Sequence, residues 1–221
     1  MMSVEIAAAP VGVKASSPGS RTKKKILGLI AGGVIAVLVS ALVWLMAVAM
    51  PSKTDGPFTF LENICVWLYD TPVSVGIRES ALLFPAIEGI HLLGIGLSVG
   101  MLCWFDLRLL GLAMKDEPVS KVWSRVMPAA FTGFVLMFIT GGLLFWAEAA
   151  TAYHSVHFWI KIGLIVLAGV NAGYFEMTTH KHVAEWDTAP VLPVRARMAG
   201  LFSLLLWTAV IITGRTMAYS F

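Results

Sequence analysis

Five long apolar runs, separated by short polar stretches, dominate the chain: Ile26–Met50, Leu82–Leu112, Met127–Ala147, Phe158–Met177 and Met198–Met217. A helix crosses the hydrocarbon core with about 20 mostly apolar residues, and each run is long enough. The apolar character is continuous rather than alternating over segments of about ten residues, which excludes a membrane β-barrel. The pattern therefore predicts an all-α, polytopic membrane protein with five transmembrane helices. Residues 1–25 read as a flexible cytoplasmic tail, 26–50 as the first transmembrane helix, 51–77 as an outer loop and 78–221 as a four-helix membrane bundle. Within the loop, Phe58, Phe60, Leu61, Ile64, Val66, Trp67, Leu68 and Tyr69 suggest a short helix lying on the membrane surface. Ala47-Val-Ala49 resembles a signal cleavage site, but the preceding run exceeds the roughly 7–15 residues of a signal-peptide core. A retained anchor is the better reading.

Composition agrees. Apolar residues make up 58% of the 221 residues and charged residues 13%, against roughly 45–50% and about 25% in a soluble domain. Mean hydropathy is +0.82. These values exclude a soluble enzyme, a disordered chain and a nucleic-acid binder. The pI of about 9.0 reflects topology instead. With the N-terminus in the cytoplasm, twelve of the 16 Lys and Arg residues fall inside: Lys14, Arg21, Lys23, Lys24, Lys25, Arg108, Lys115, Lys121, Arg125, Lys181, Arg195 and Arg197. Four (Lys53, Arg78, Lys161 and Arg215) fall at the outer side. This asymmetry follows the positive-inside rule and places the protein in a bacterial inner membrane, with the C-terminus in the periplasm.

A weak internal repeat runs through the bundle. Spans two and four carry His91-Leu-Leu-Gly-Ile-Gly-Leu97 and His157-Phe-Trp-Ile-Lys-Ile-Gly-Leu164; spans three and five carry Ile139-Thr-Gly141 and Ile212-Thr-Gly214. Two parallel hairpins related by an axis along the membrane normal would produce this, with His91 and His157 at pseudo-equivalent positions. Counting from the span ends places Glu88, His91, Glu148, His154, His157, Lys161 and Arg215 within about two turns of the outer boundary.

Ionisable groups inside a membrane are costly and tend to face the bundle interior, so this outer ring is the candidate site. His91 and His157 can ligate a haem b iron from two sides, with Arg78, Lys161 and Arg215 on the propionates. Alternatively Glu88 with His91, His157 and His154 can hold copper or another divalent ion. A purely structural account stands beside both. Glu88 and Asp106 share one face of span two, Arg197 and Arg215 one face of span five, and antiparallel packing would pair Glu88 with Arg215 and Asp106 with Arg197. His180 and His182 read as solvated surface, and Gly96-Leu-Ser-Val-Gly100 as a small-residue face for close helix packing. The separated Cys65 and Cys103 give no disulfide framework. No hydrolytic, transferase or dithiol motif is present, so the chain is at most an electron-transfer subunit rather than an enzyme in its own right. Its expected partners are membrane lipid and a quinone or a periplasmic redox or metal partner, within a larger membrane complex and without nucleic acid.

Ile77-Arg-Glu-Ser80, Phe84-Pro-Ala-Ile-Glu-Gly-Ile-His91, Asp106-Leu-Arg-Leu-Leu-Gly111, Val183-Ala-Glu-Trp-Asp187, Ala196-Arg197 and Gly214-Arg215 with Tyr219 resemble a family of bacterial multi-pass inner-membrane proteins, a domain of unknown function. The resemblance covers roughly residues 60–221. It implies a five-helix membrane protein and supplies no activity. It also implies a histidine where this chain has Glu176, which weakens any inner-side histidine site. In layout alone the chain is similar to b-type cytochrome bundles and to copper-resistance membrane proteins.

Overall fold

The computed structural model describes residues 59–218. The tail, the first span and the start of the outer loop lie outside these residues. The described chain is helical throughout: α1 (Thr59–Tyr69), α2 (Pro72–Glu79), α3 (Leu83–Leu110), α4 (Val119–Ala147), α5 (Ala149–His154), α6 (Val156–Tyr174) and α7 (Val194–Ala218). Four helices, built on α3, α4, α6 and α7, are long and apolar enough to cross a membrane. The protein is thus an integral membrane protein with four spans among its described residues.

The loop helix expected from the sequence is α1, and a second helix, α2, follows it. Pro72 has no N–H to continue α1, and it sits instead in the first turn of α2, where that hydrogen is not needed. Thr71 caps α2 by accepting from the Ser74 amide at 3.4 Å. At the other end of the bundle, α3 stops at Gly111, whose φ of +74° only glycine adopts without strain. The Leu112 amide then donates to Leu107 O at 2.9 Å, satisfying a terminal carbonyl.

The spans form two hairpins, α3–α4 and α6–α7, and α3 packs on α7 to join them. The tightest crossing lies between α3 and α4. A Cβ on Gly133 would stand 2.5 Å from the Ser98 amide nitrogen and 2.9 Å from Gly94 O. Span two does carry a small-residue face, but it is Gly94-x-x-x-Ser98; a Cβ on Gly96 or Gly100 would meet nothing within 4 Å. Further along, Val99, Ala168, Trp207 and Val210 knit three helices together, and Phe134 brings in α4 through its ring contact with Trp207 at 5.1 Å. Leu93, Phe131, Phe138, Leu205 and Ile212 remain exposed on the outward faces, as lipid-facing positions do.

Two polar clamps fix the ends. Asp187, in the α6–α7 connection, accepts from the Ser120 amide at 2.7 Å and the Ser120 hydroxyl at 2.6 Å, capping α4 from the other hairpin. Burial opposes the Asp187 charge, but these bonds, the Val119 amide and Arg108 hold its carboxyl below the ordinary aspartate value. At the opposite end, Arg78 Nη1 donates to Ala147 O at 2.9 Å, Ser74 Oγ at 3.1 Å and Tyr69 O at 3.3 Å. Its guanidinium lies 3.7 Å from the Tyr69 ring centroid. Arg78 thus pins α1 and α2 to the last carbonyl of α4.

Candidate functional site

His91 lies in the third turn of α3, with its Nδ1 2.9 Å from Thr140 Oγ1 on α4. Thr140 has one hydroxyl proton, and that proton is donated to Leu136 O, one turn back, at 2.6 Å. With its proton so placed Thr140 accepts from His91, which favours the tautomer with hydrogen on Nδ1 and the lone pair on Nε2; the Met137 carbonyl is also in hydrogen-bond reach of the imidazole. Gly141 makes room for the ring: a Cβ there would stand 3.1 Å from His91 Cε1.

Lys161 on α6 is built in the same way. Its Nζ would lie 3.3 Å from a Cβ on Gly214 of α7, so the side chain runs along that glycine. Lys161 is within electrostatic reach of His91. Among the described residues it has no ion-pair partner. Each hairpin thus seats the polar residue of its first helix against the glycine of an Ile-Thr-Gly triplet in its second. The repeat expected from the sequence is visible here with a correction. By contact, His91 corresponds to Lys161 rather than to His157, which begins one turn earlier on α6.

The remaining candidates are dispersed. His154 Nε2 meets Glu62 Oε1 of α1 at 3.3 Å on the protein surface. Arg78 serves the clamp described above. His157 and Glu88 are half-buried and make no hydrogen bond or ion pair among the described residues. Among those residues no three His, Cys, Asp or Glu side chains converge in a metal-binding cluster.

The helix-stapling ion pairs do not form either. Gly200 packs on the backbone of Asp106: a Cβ there would stand 3.0 Å from the Asp106 carbonyl oxygen. The α3–α7 register is therefore displaced by about one turn from the one that would pair Asp106 with Arg197 and Glu88 with Arg215. Arg197 is exposed instead.

Over residues 80–220 the sequence matches the model of a family of unknown function, DUF6644. The chain belongs to this family. No curated protein and no solved structure matches it. The DUF6644 match takes in all four described spans, and hence His91, Thr140, Lys161 and Gly214; α1 and α2, with Glu62 and Arg78, precede it. Glu176, where the resemblance implied a histidine, falls in a π-helical turn, Phe175–Thr179, that ends α6 in this DUF6644 member. Its carboxylate lies 3.1 Å from His180 Nδ1, and the His180 ring packs on Trp123 at 4.4 Å between centroids. His180 is therefore part of the packing at this end, where the sequence suggested open surface.

Thr140, Gly141 and Gly214 are the site residues that sequence reasoning missed. Their signal was the repeated Ile-Thr-Gly triplet, which marked the repeat without pointing to a site.

Proposed function

We propose that the protein is a haem-b-binding electron-transfer subunit, with its site near the periplasmic face of a bacterial inner membrane. The observation that carries this reading is the His91–Thr140–Leu136 chain, which favours hydrogen on Nδ1 and leaves Nε2 as the ligating atom, the arrangement expected of a metal-binding histidine with an oriented ring. Lys161 supports it: a cation beside the imidazole opposes a bare divalent ion and suits a ligand that carries its own carboxylates. His91 would hold the iron, and Lys161 and Arg215 the propionates. Bound haem would supply one-electron redox chemistry. Thr140 holds the His91 ring, Gly141 and Gly214 leave space against the two side chains, and the apolar spans exclude water. Copper handling is the weaker alternative, lacking a three-donor cluster among the described residues.

The test is the absorption spectrum of protein purified in detergent from haem-replete cells. A Soret band that sharpens with dithionite and is lost in His91→Ala is the expected result. A folded, colourless wild-type protein would overturn the proposal.

A further inference from the structure

Asp106 lies four residues, about one turn, before the end of α3. Its residue is only 4% exposed, and Gly200 of α7 closes directly over its backbone. Within this seam the carboxyl faces the hydroxyl of Ser203 on α7. Its Oδ2 is buried and has no hydrogen-bond partner. No Lys, Arg or His among the described residues forms an ion pair with it. The charged neighbours are accounted for elsewhere. Arg108 on the same helix donates through Nε to Glu117 O at 2.8 Å. Arg197 on α7 is exposed. Cys103, one turn back on α3, is the other titratable group in electrostatic contact with Asp106.

A bare carboxylate buried without a counter-charge is among the costliest arrangements a protein can hold. A bound proton removes the charge, which is the larger part of that cost. A hard cation would not serve, because it takes six or more oxygens, whereas the seam offers the carboxyl and one hydroxyl. The carbonyls around them are engaged in helices.

We propose that Asp106 is a proton-binding site in the α3–α7 seam: the carboxylate takes up one proton on Oδ2 to become the neutral acid, and releases it to water at the nearer end of the bundle. Ser203 is its positioning residue. The site is independent of any cofactor at His91, and lies at the other end of the same helix.

Infrared difference spectra of the detergent-purified full chain, taken between about pH 5 and about pH 9, test it. A protonated-carboxyl C=O band is expected to grow on acidification, to be lost in Asp106→Asn and to shift in frequency in Ser203→Ala. Ser203→Ala retains the carboxyl and decides the matter should the Asn variant not fold. Dicyclohexylcarbodiimide, which reacts with protonated carboxyls in apolar surroundings, is expected to label Asp106 more at low pH. A wild-type spectrum with no titrating carboxyl band, or one whose band neither variant alters, overturns the proposal.

Discussion

His91 on α3 and Thr140 on α4 are joined by a 2.9 Å hydrogen bond in which the imidazole Nδ1–H donates and the hydroxyl accepts. The bond ties the two helices of the first hairpin at a buried point. Thr140→Val keeps the shape and removes this acceptor, at a cost of about 0.5–1.5 kcal/mol, with the Met137 carbonyl still in reach of the imidazole. A lower thermal midpoint in detergent is therefore expected, with recovery in Thr140→Ser. Thr213, the corresponding residue of the second hairpin, bonds only the carbonyls of its own helix, at 2.8 and 3.1 Å. Thr213→Val should be nearly silent, and equal losses at the two threonines would argue against the cross-helix bond.

Gly133 should be the least replaceable small residue of the first hairpin. An added methyl at 2.5 Å from the Ser98 amide nitrogen meets backbone, which cannot swing aside as a side chain would. Overpacking of this kind costs about 1–3 kcal/mol. Gly96→Ala and Gly100→Ala place a methyl in open space and should match or exceed wild type, since alanine is the better helix former. Thermal unfolding of the three variants, compared with wild type, checks the ranking. A tolerant Gly133 and a sensitive Gly96 would place the crossing on the other face.

The contrast between Gly94-x-x-x-Ser98 and Gly96-x-x-x-Gly100 shows what the sequence could not settle. Composition and run length identify helices and spans because the bilayer imposes them on any chain. The face a span turns to its neighbour depends on small-residue spacing, and α3 offers two such spacings two residues apart. The α3–α7 register failed for a related reason. Matching charge by charge assumed that Asp106 seeks Arg197, whereas the close approach of Gly200 sets the depth. His91 and Lys161 were legible because ionisable residues stand out in apolar helices. Thr140, Gly141 and Gly214 were not, because hydroxyl and glycine residues are ordinary there. The division of the loop segment into α1 and α2 was readable in Thr71-Pro72, a cap followed by a proline.

Asp187 links the two hairpins through the N-terminus of α4, so stability should depend on acid. Its carboxyl is held below the ordinary value in the folded protein, so the folded state binds a proton less readily than the unfolded chain. Its contribution is fully present above the unfolded value of about 3.9 and is lost as pH falls through the lower, folded one. Between pH 7 and pH 5 the thermal midpoint should show no dependence on this group, and below about pH 4 it should fall. In Asp187→Asn the acid-dependent part should be reduced. An unchanged acid limb in that variant would assign the dependence to other carboxyls.

The two ends of the bundle carry different charge, and this predicts how it sits in a cell. Lys115 lies between α3 and α4 and Lys181 follows α6, so the two hairpins present them at the same end; Ala81 precedes α3 at the other. All three positions are exposed. The excess of Lys and Arg on the Lys115–Lys181 side should hold that end in the cytoplasm. In a Cys65→Ser, Cys103→Ser background, Ala81→Cys is then expected to react with a membrane-impermeant maleimide in intact spheroplasts. Lys115→Cys and Lys181→Cys should react only after lysis. Labelling of Lys115→Cys in intact spheroplasts, with Ala81→Cys protected, would invert the orientation. Because Thr140 and Lys161 lie toward the Ala81 end, that inversion would move the His91 site to the cytoplasmic half of the membrane and exclude a periplasmic electron partner.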